Sequence, residues 1–207
     1  MTSSSSAAAA LAATELEKYV AAMQRKTGLH PEISTSQKSE ASVPVSTEAS
    51  VSATELFTAE MKQQLDAVFS RMERKLLLKL FLDNRTVSAE LKEFITALVT
   101  LSDKLAMDVL DRQAVEPFAP CVKICLEDGT ETGLAFHGVP SGHEFTSFVL
   151  GLYNAAGTGQ KLDDDVLGNI KEMDKKVDIK VLVSLSCTMC PELVMAAQKI
   201  ASISGNV

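Results

Sequence analysis

The 207-residue sequence predicts an α/β protein: a compact four-stranded sheet with helices on its faces, followed by the opening elements of a second unit. Three observations carry this reading. Leu76 to Leu82 reads LLLKLFL, so continuous an apolar run that it suits a strand covered on both faces, in a parallel or mixed sheet. Val122, Ile124 and Leu126 alternate ahead of Glu127-Asp128-Gly129 and a second short strand near Leu134 to Phe136, which is a hairpin pattern. Around these strands, apolar residues recur at helical spacing.

Residues 1–55 form a separate low-complexity extension rich in Ser, Thr and Ala. A short amphipathic helix is expected at 13–27, where Leu16, Tyr19, Val20 and Met23 share a face and Gly28 can end it. Residues 30–54 hold ten Ser or Thr, two Pro and no aromatic side chain, too little apolar surface to offset the entropy of ordering a backbone. They read as a flexible or disordered linker.

The folded part is expected in two units, 56–160 and 161–207. In the first, Met61, Leu65, Val68, Phe69 and Met72 mark a leading helix ahead of the apolar strand. Ser88 is expected to cap a helix burying Leu91, Phe94, Ile95, Leu98 and Val99, and a strand follows at Leu105 to Leu110. After the irregular Arg112 to Pro120 comes the hairpin. Phe145, Phe148, Val149 and Leu152 then mark a helix that ends at Gly157-Thr158-Gly159. In the second unit Asp163 caps a helix with Val166, Leu167, Ile170 and Met173 inward. Val177 to Ser184 reads as a strand, and Cys187 to Ile203 as a helix with Leu193, Val194, Ala197, Ile200 and Ala201 inward. The chain reaches Val207 before a strand that could pair with 177–184. An open strand edge and an uncovered apolar helix face are therefore expected.

Twenty basic and 27 acidic residues give a net charge of −7, with no Lys/Arg stripe to neutralise a phosphate backbone or an anionic membrane surface. Nucleic acid and membrane are thus not expected as partners. No apolar run approaches the ~20 residues that span a bilayer, and no basic segment precedes an apolar core at the N-terminus. A cytoplasmic protein is expected. There, a close cysteine pair points to redox or metal chemistry rather than a structural bridge.

Cys187-Thr188-Met189-Cys190-Pro191 joins the end of the expected strand to the start of an amphipathic helix. Unsatisfied N–H groups and the positive end of the helix dipole there stabilise a thiolate. Cys187 is the expected nucleophile. Cys190, one turn on and more deeply placed, would resolve a mixed disulfide, and Pro191 fits a first helical turn. Half a zinc site is the competing reading, but no second CxxC or paired histidine supplies the remaining ligands. Cys121 and Cys125 lie on one strand about 13 Å apart at ~3.3 Å per residue, beyond disulfide reach, and read as buried strand thiols. Ser141-Gly142-His143-Glu144 matches a capping box, so Glu144 either completes a helix start or tunes proton transfer at the dithiol. Asp163-Asp164-Asp165 reads as a solvated helix start rather than a metal site.

Leu101-Ser102-Asp103-Lys104, Gly142-His143-Glu144-Phe145-Thr146-Ser147 and Ser184-Leu185-Ser186-Cys187-Thr188-Met189-Cys190-Pro191 together resemble the N-terminal domain of the F subunit of bacterial alkyl hydroperoxide reductase. The resemblance runs from Met61 to Val207. It implies a thioredoxin-like fold without CxxC at 56–160, then an incomplete second thioredoxin-like fold carrying the dithiol at 161–207. It implies that Pro120 is the cis-proline before the hairpin and that Glu144 faces the dithiol across the two folds. It also implies an electron relay. A flavoprotein disulfide reductase domain, in the same polypeptide or a separate chain, uses NADH and FAD to reduce Cys187–Cys190, which then reduces a peroxiredoxin. No cofactor is expected in this chain, because Gly157-Thr158-Gly159 lacks the full G-x-G-x-x-G pattern after a strand. Two other readings stand beside the relay: a non-catalytic interaction module that binds through an open sheet edge, and a general protein disulfide oxidoreductase.

Overall fold

The computed structural model describes residues 56–57, 59–110, 119–142, 144–184 and 186–207. The expected helix at 13–27, the linker and most of the irregular 112–120 stretch lie outside the described residues. The elements are α1 (Ala59–Phe69), β1 (Leu76–Phe81), α2 (Thr86–Val99), β2 (Leu105–Leu110) and β3 (Cys121–Leu126). After these come β4 (Glu131–His137), α3 (Glu144–Ala155), α4 (Asp164–Lys171) and α5 (Cys190–Ile203).

The sheet order is β2-β1-β3-β4. Strand β1 lies parallel to β2, with Leu78 opposite Met107, and antiparallel to β3, with Leu78 opposite Ile124. Because it is central, its Leu76, Leu78 and Leu80 are buried, as the LLLKLFL run requires. The one charge in that run, Lys79, reaches the hairpin turn and donates from Nζ to the Gly129 carbonyl at 3.0 Å. Gly129 itself sits at φ +88°, a turn conformation that a side chain would strain.

Helix α2 buries Leu91, Ile95 and Leu98 completely, one apolar stripe at i, i+4 and i+7. Ser88 is not its cap: the helix begins two residues earlier, at Thr86. Its Oγ instead accepts from the Asp83 N–H at 3.0 Å and donates to Asp83 Oδ1 at 2.6 Å, tying the end of β1 to the first turn of α2. Arg85 Nε donates to Asp83 Oδ2 at 2.7 Å, and its guanidinium also donates to the Ala119 carbonyl. Hydrogen bonds from Arg85 and Ser88 hold the Asp83 carboxyl far below the usual carboxylate range. The Ala119–Pro120 peptide bond is cis and immediately precedes β3.

Helix α3 is covered almost all round. It packs on β3, β4 and α1, and its remaining side receives α5. Phe148 meets Phe136 of β4 edge-on, with ring centroids 4.9 Å apart, and Phe94 of α2 stands perpendicular to Phe145 at 6.1 Å. This first unit is an α/β thioredoxin-like fold.

The second unit departs from expectation in three places. Val177 to Ser184 joins no helix or sheet among the described residues, and the Val177 N–H, bonded to the Asn206 carbonyl at 2.7 Å, ties its start to the end of the chain. A strand needs a partner for its N–H and C=O groups, and among the described residues this segment pairs with none of β1–β4. Helix α5 begins at Cys190 instead of Cys187, with Pro191 in its first turn. Its buried residues are Met195, Ala196, Gln198, Lys199 and Ala201, whereas Leu193 stays 56% exposed. Of the expected face, Ala201 is buried and Val194, Ala197 and Ile200 are half-buried, and α5 also lays the polar Gln198 and Lys199 against the first unit. Asp163 sits at the N-cap of α4 without a side-chain capping bond, and Ile170 is the residue that helix buries.

Candidate functional site: the Cys187–Cys190 dithiol

Cys187 and Cys190 are joined as a disulfide, with Cα atoms 5.5 Å apart. The short separation follows from the local chain path. A turn at Ser184 to Cys187, closed by the Cys187 N–H bonded to the Ser184 carbonyl at 2.9 Å, brings the first cysteine back to the first residue of α5. Thr188 and Met189 form the exposed bend between them. Both cysteines are half-buried. Cys190 opens the helix, and Cys187 stands one turn ahead of it, where the free N–H groups of the helix start favour negative charge on sulfur. Leu185, part of the SLSCTMCP stretch, lies outside the described residues.

Glu144 opens α3 and is buried at 4% exposure. The capping box is not formed. The Ser141 N–H donates to the Val139 carbonyl, while the Glu144 carboxylate accepts through Oε2 from Ser147 Oγ one turn along its own helix. Oε1 is buried with no hydrogen-bond partner among the described residues. Its neighbour His143 lies outside the described residues. Among the described residues no hydrogen bond ties Glu144 to the cysteines, which belong to a different element.

Cys121 and Cys125 are fully buried in β3, and burial pushes the Cys125 thiol up. They pack as small apolar groups. The three aspartates at 163–165 are exposed at the start of α4.

Sequence reasoning missed a polar layer between the first unit and α5. Asn154 Nδ2 donates to Gln160 Oε1 at 2.9 Å, and the Gln160 N–H returns a bond to Asn154 Oδ1 at 2.9 Å. Lys199 Nζ donates to the Thr158 carbonyl at 3.1 Å, and burial lowers its pKa to about 8. Gln198 is buried, and among the described residues neither side-chain amide atom is hydrogen-bonded. The available signal was Gln198-Lys199 inside an otherwise apolar helix. It reads as a solvated stripe until a partner surface is known.

The Gly157-Thr158-Gly159 segment does not fit a dinucleotide pyrophosphate. It follows helix α3 rather than a strand, and Glu73 Oε1 occupies it, accepting from the Thr158 N–H at 3.3 Å and Thr158 Oγ at 2.8 Å. These bonds lower the Glu73 pKa, so an incoming phosphate would meet a carboxylate.

No family model matches the chain. The F subunit of alkyl hydroperoxide reductase from Pseudomonas aeruginosa is 32% identical over 152 residues, covering 73% of this chain and 28% of that protein. The chain thus spans just over a quarter of the length of the curated relatives it matches. A solved structure of the corresponding protein from Enterococcus faecalis superposes with a TM-score of 0.68 at 36% identity, over 74% of this chain and 77% of the other. The solved NTD_N/C domain of that E. faecalis protein gives a TM-score of 0.66 at 34% identity, over 73% and 77%. Identity and superposition both extend over most of that solved domain, and the chain accordingly belongs to the family of alkyl hydroperoxide reductase F subunits, as a counterpart of their N-terminal domain.

Proposed function

We propose that the chain is a thiol–disulfide electron carrier that takes two electrons from a flavin-dependent disulfide reductase, in the same polypeptide or another chain, and delivers them to a peroxiredoxin. The observation that carries this reading is the Cys187–Cys190 disulfide at the N-terminus of α5, in a chain of this family. In this scheme residues 56–160 are the scaffold and 161–207 carry the working pair.

The steps balance. The reductase dithiol reduces Cys187–Cys190 and is itself oxidised. Cys187 thiolate then attacks one sulfur of the peroxiredoxin disulfide, forming a mixed disulfide and releasing the other peroxiredoxin sulfur as a thiolate. Cys190 thiolate attacks Cys187 Sγ, the intermolecular bond breaks, and the peroxiredoxin leaves as a dithiol while Cys187–Cys190 is again a disulfide. Glu144 is the proposed proton-handling group for these thiolates, as the buried carboxylate of α3 with one oxygen unbonded among the described residues. FAD and NADH belong to the reductase, and no step here passes through them. The site of action is the cytoplasm, where such thiols cycle. No helix among the described residues is long and apolar enough to cross a membrane.

The test is electron delivery. The chain, reduced chemically and freed of reductant, is mixed with an oxidised two-cysteine peroxiredoxin, and thiols on both proteins are counted by mass spectrometry after alkylation. Stoichiometric transfer, lost when Cys187 is replaced by Ser, is expected. Transfer no faster than from a simple dithiol would overturn the proposal.

A further inference from the structure

Between α1, α2 and the start of α3 the first unit has an open groove of about 370 Å³. Three phenylalanine rings in mutual contact line it. Phe57 lies 5.6 Å from Phe94 and 5.9 Å from Phe145, and Phe94 and Phe145 stand 6.1 Å apart, centroid to centroid. Glu90 and Glu93, one turn apart on α2, line the same groove and are exposed, and among the described residues neither has an ion-pair partner. Every lining residue belongs to the first unit, so the groove owes nothing to residues 161–207.

The chain itself carries a segment of matching chemistry. Leu56, the first of the described residues, lines the groove and is 40% exposed, so residues 1–55 join the fold at the groove itself. In that stretch Leu16, Tyr19, Val20 and Met23 fall at i, i+3, i+4 and i+7, the anchor spacing of an amphipathic helix that lays one face in a groove. A helix over 13–27 is marginal by itself and gains stability by burying that face. Lys26, one turn beyond Met23, borders the apolar stripe next to Arg25, and this basic end complements the acidic Glu90 and Glu93. Residues 28–55 join the two. A flexible chain of that length reaches roughly 30 Å, which holds the segment near the groove at about millimolar effective concentration.

From this we infer that residues 13–27 dock as an amphipathic helix in this groove of their own chain, with Leu16, Tyr19, Val20 and Met23 against the phenylalanine rings and Lys26 beside Glu90 and Glu93. The inference is independent of the electron-carrier reading. Phe145 directly follows Glu144, so the docked segment covers the start of α3.

The test is hydrogen exchange on the full 207-residue chain at low micromolar concentration. Amides of residues 16–23 are expected to exchange about tenfold more slowly than in the isolated peptide, the protection that a millimolar effective concentration gives a contact of about 0.1 mM affinity. Val20→Asp puts a carboxylate in the apolar stripe and is expected to abolish that protection, while the amides of β1 keep theirs and report that the first unit is still folded. Reversing the groove's charges with Glu90→Lys and Glu93→Lys is expected to lower the protection about threefold, and adding Lys26→Glu to restore most of the loss. A photoreactive p-benzoylphenylalanine in place of Tyr19 is expected to crosslink to residues 90–94 or 145 of the same chain. Unprotected amides at 16–23 in the wild type overturn the inference. So does protection indifferent to Val20→Asp or to the charge reversal, and so do crosslinks that map to another surface or to a second copy of the chain.

Discussion

Gln198 of α5 lies flat over Gly151 of α3. A Cβ at position 151 would come within 2.6 Å of Gln198 Oε1 and 3.2 Å of its Cδ, so the absence of a side chain at 151 sets how closely the dithiol-bearing helix approaches the first unit. Both amide atoms of Gln198 are buried there without hydrogen-bond partners among the described residues.

Replacing Gly151 with Val should push α5 away from α3 at a cost of about 1–3 kcal/mol, the usual range for overpacking a close contact. Hydrogen exchange checks it: amides of residues 192–201 should lose protection while those of β1 stay unchanged. Gln198→Leu keeps the size and removes two unbonded polar atoms, so it should raise stability by about 1 kcal/mol in urea unfolding.

Cys190→Ser should accumulate a mixed disulfide with an oxidised peroxiredoxin through Cys187, and Cys187→Ser should not. Mass mapping of the linked peptides decides which sulfur attacks. In the same experiment, native alkylation after reduction should label Cys187 and Cys190 but spare Cys121 and Cys125, which are fully buried.

Glu144→Gln should slow disulfide exchange and alter its pH–rate profile while leaving the melting temperature close to that of wild type. Gln keeps the shape and can still accept from Ser147. Superimposable pH–rate profiles would remove Glu144 from the proton chemistry.

Lys199 predicts a rise in stability at alkaline pH. Burial lowers its pKa from 10.5 to about 8, so between those values the unfolded chain holds the extra proton. Below pH 8 both states are charged and the full cost of burying the ammonium is present. As pH climbs from about 8 toward 10.5 that cost is relieved, by about 1–2 kcal/mol after allowing for solvent screening. Lys199→Met should flatten this part of the curve relative to wild type, as read by urea midpoints across the range.

The first unit was legible in the sequence because its signals are local. LLLKLFL marked the central strand, Val122, Ile124 and Leu126 with Glu127-Asp128-Gly129 marked the hairpin, and the 3.6-residue periodicity of Leu91, Ile95 and Leu98 marked α2. The dithiol was legible for the same reason, since two cysteines three apart are brought together by one turn of chain.

What the sequence did not determine depends on partners distant in the chain. Val177 to Ser184 has the composition of a strand, but a strand exists only where another edge satisfies its backbone, and among the described residues it pairs with none of β1–β4. The face on which α5 docks was decided by the shape of α3: Gly151 leaves room for Gln198, and the Thr158 carbonyl accepts from Lys199, so a polar side is buried while Leu193 remains in solvent. Glu144 followed the same rule. Its S-x-x-E spacing fitted a cap, yet the fold buries the carboxylate against Ser147, because burial is set by what packs over a helix and not by the residues that begin it.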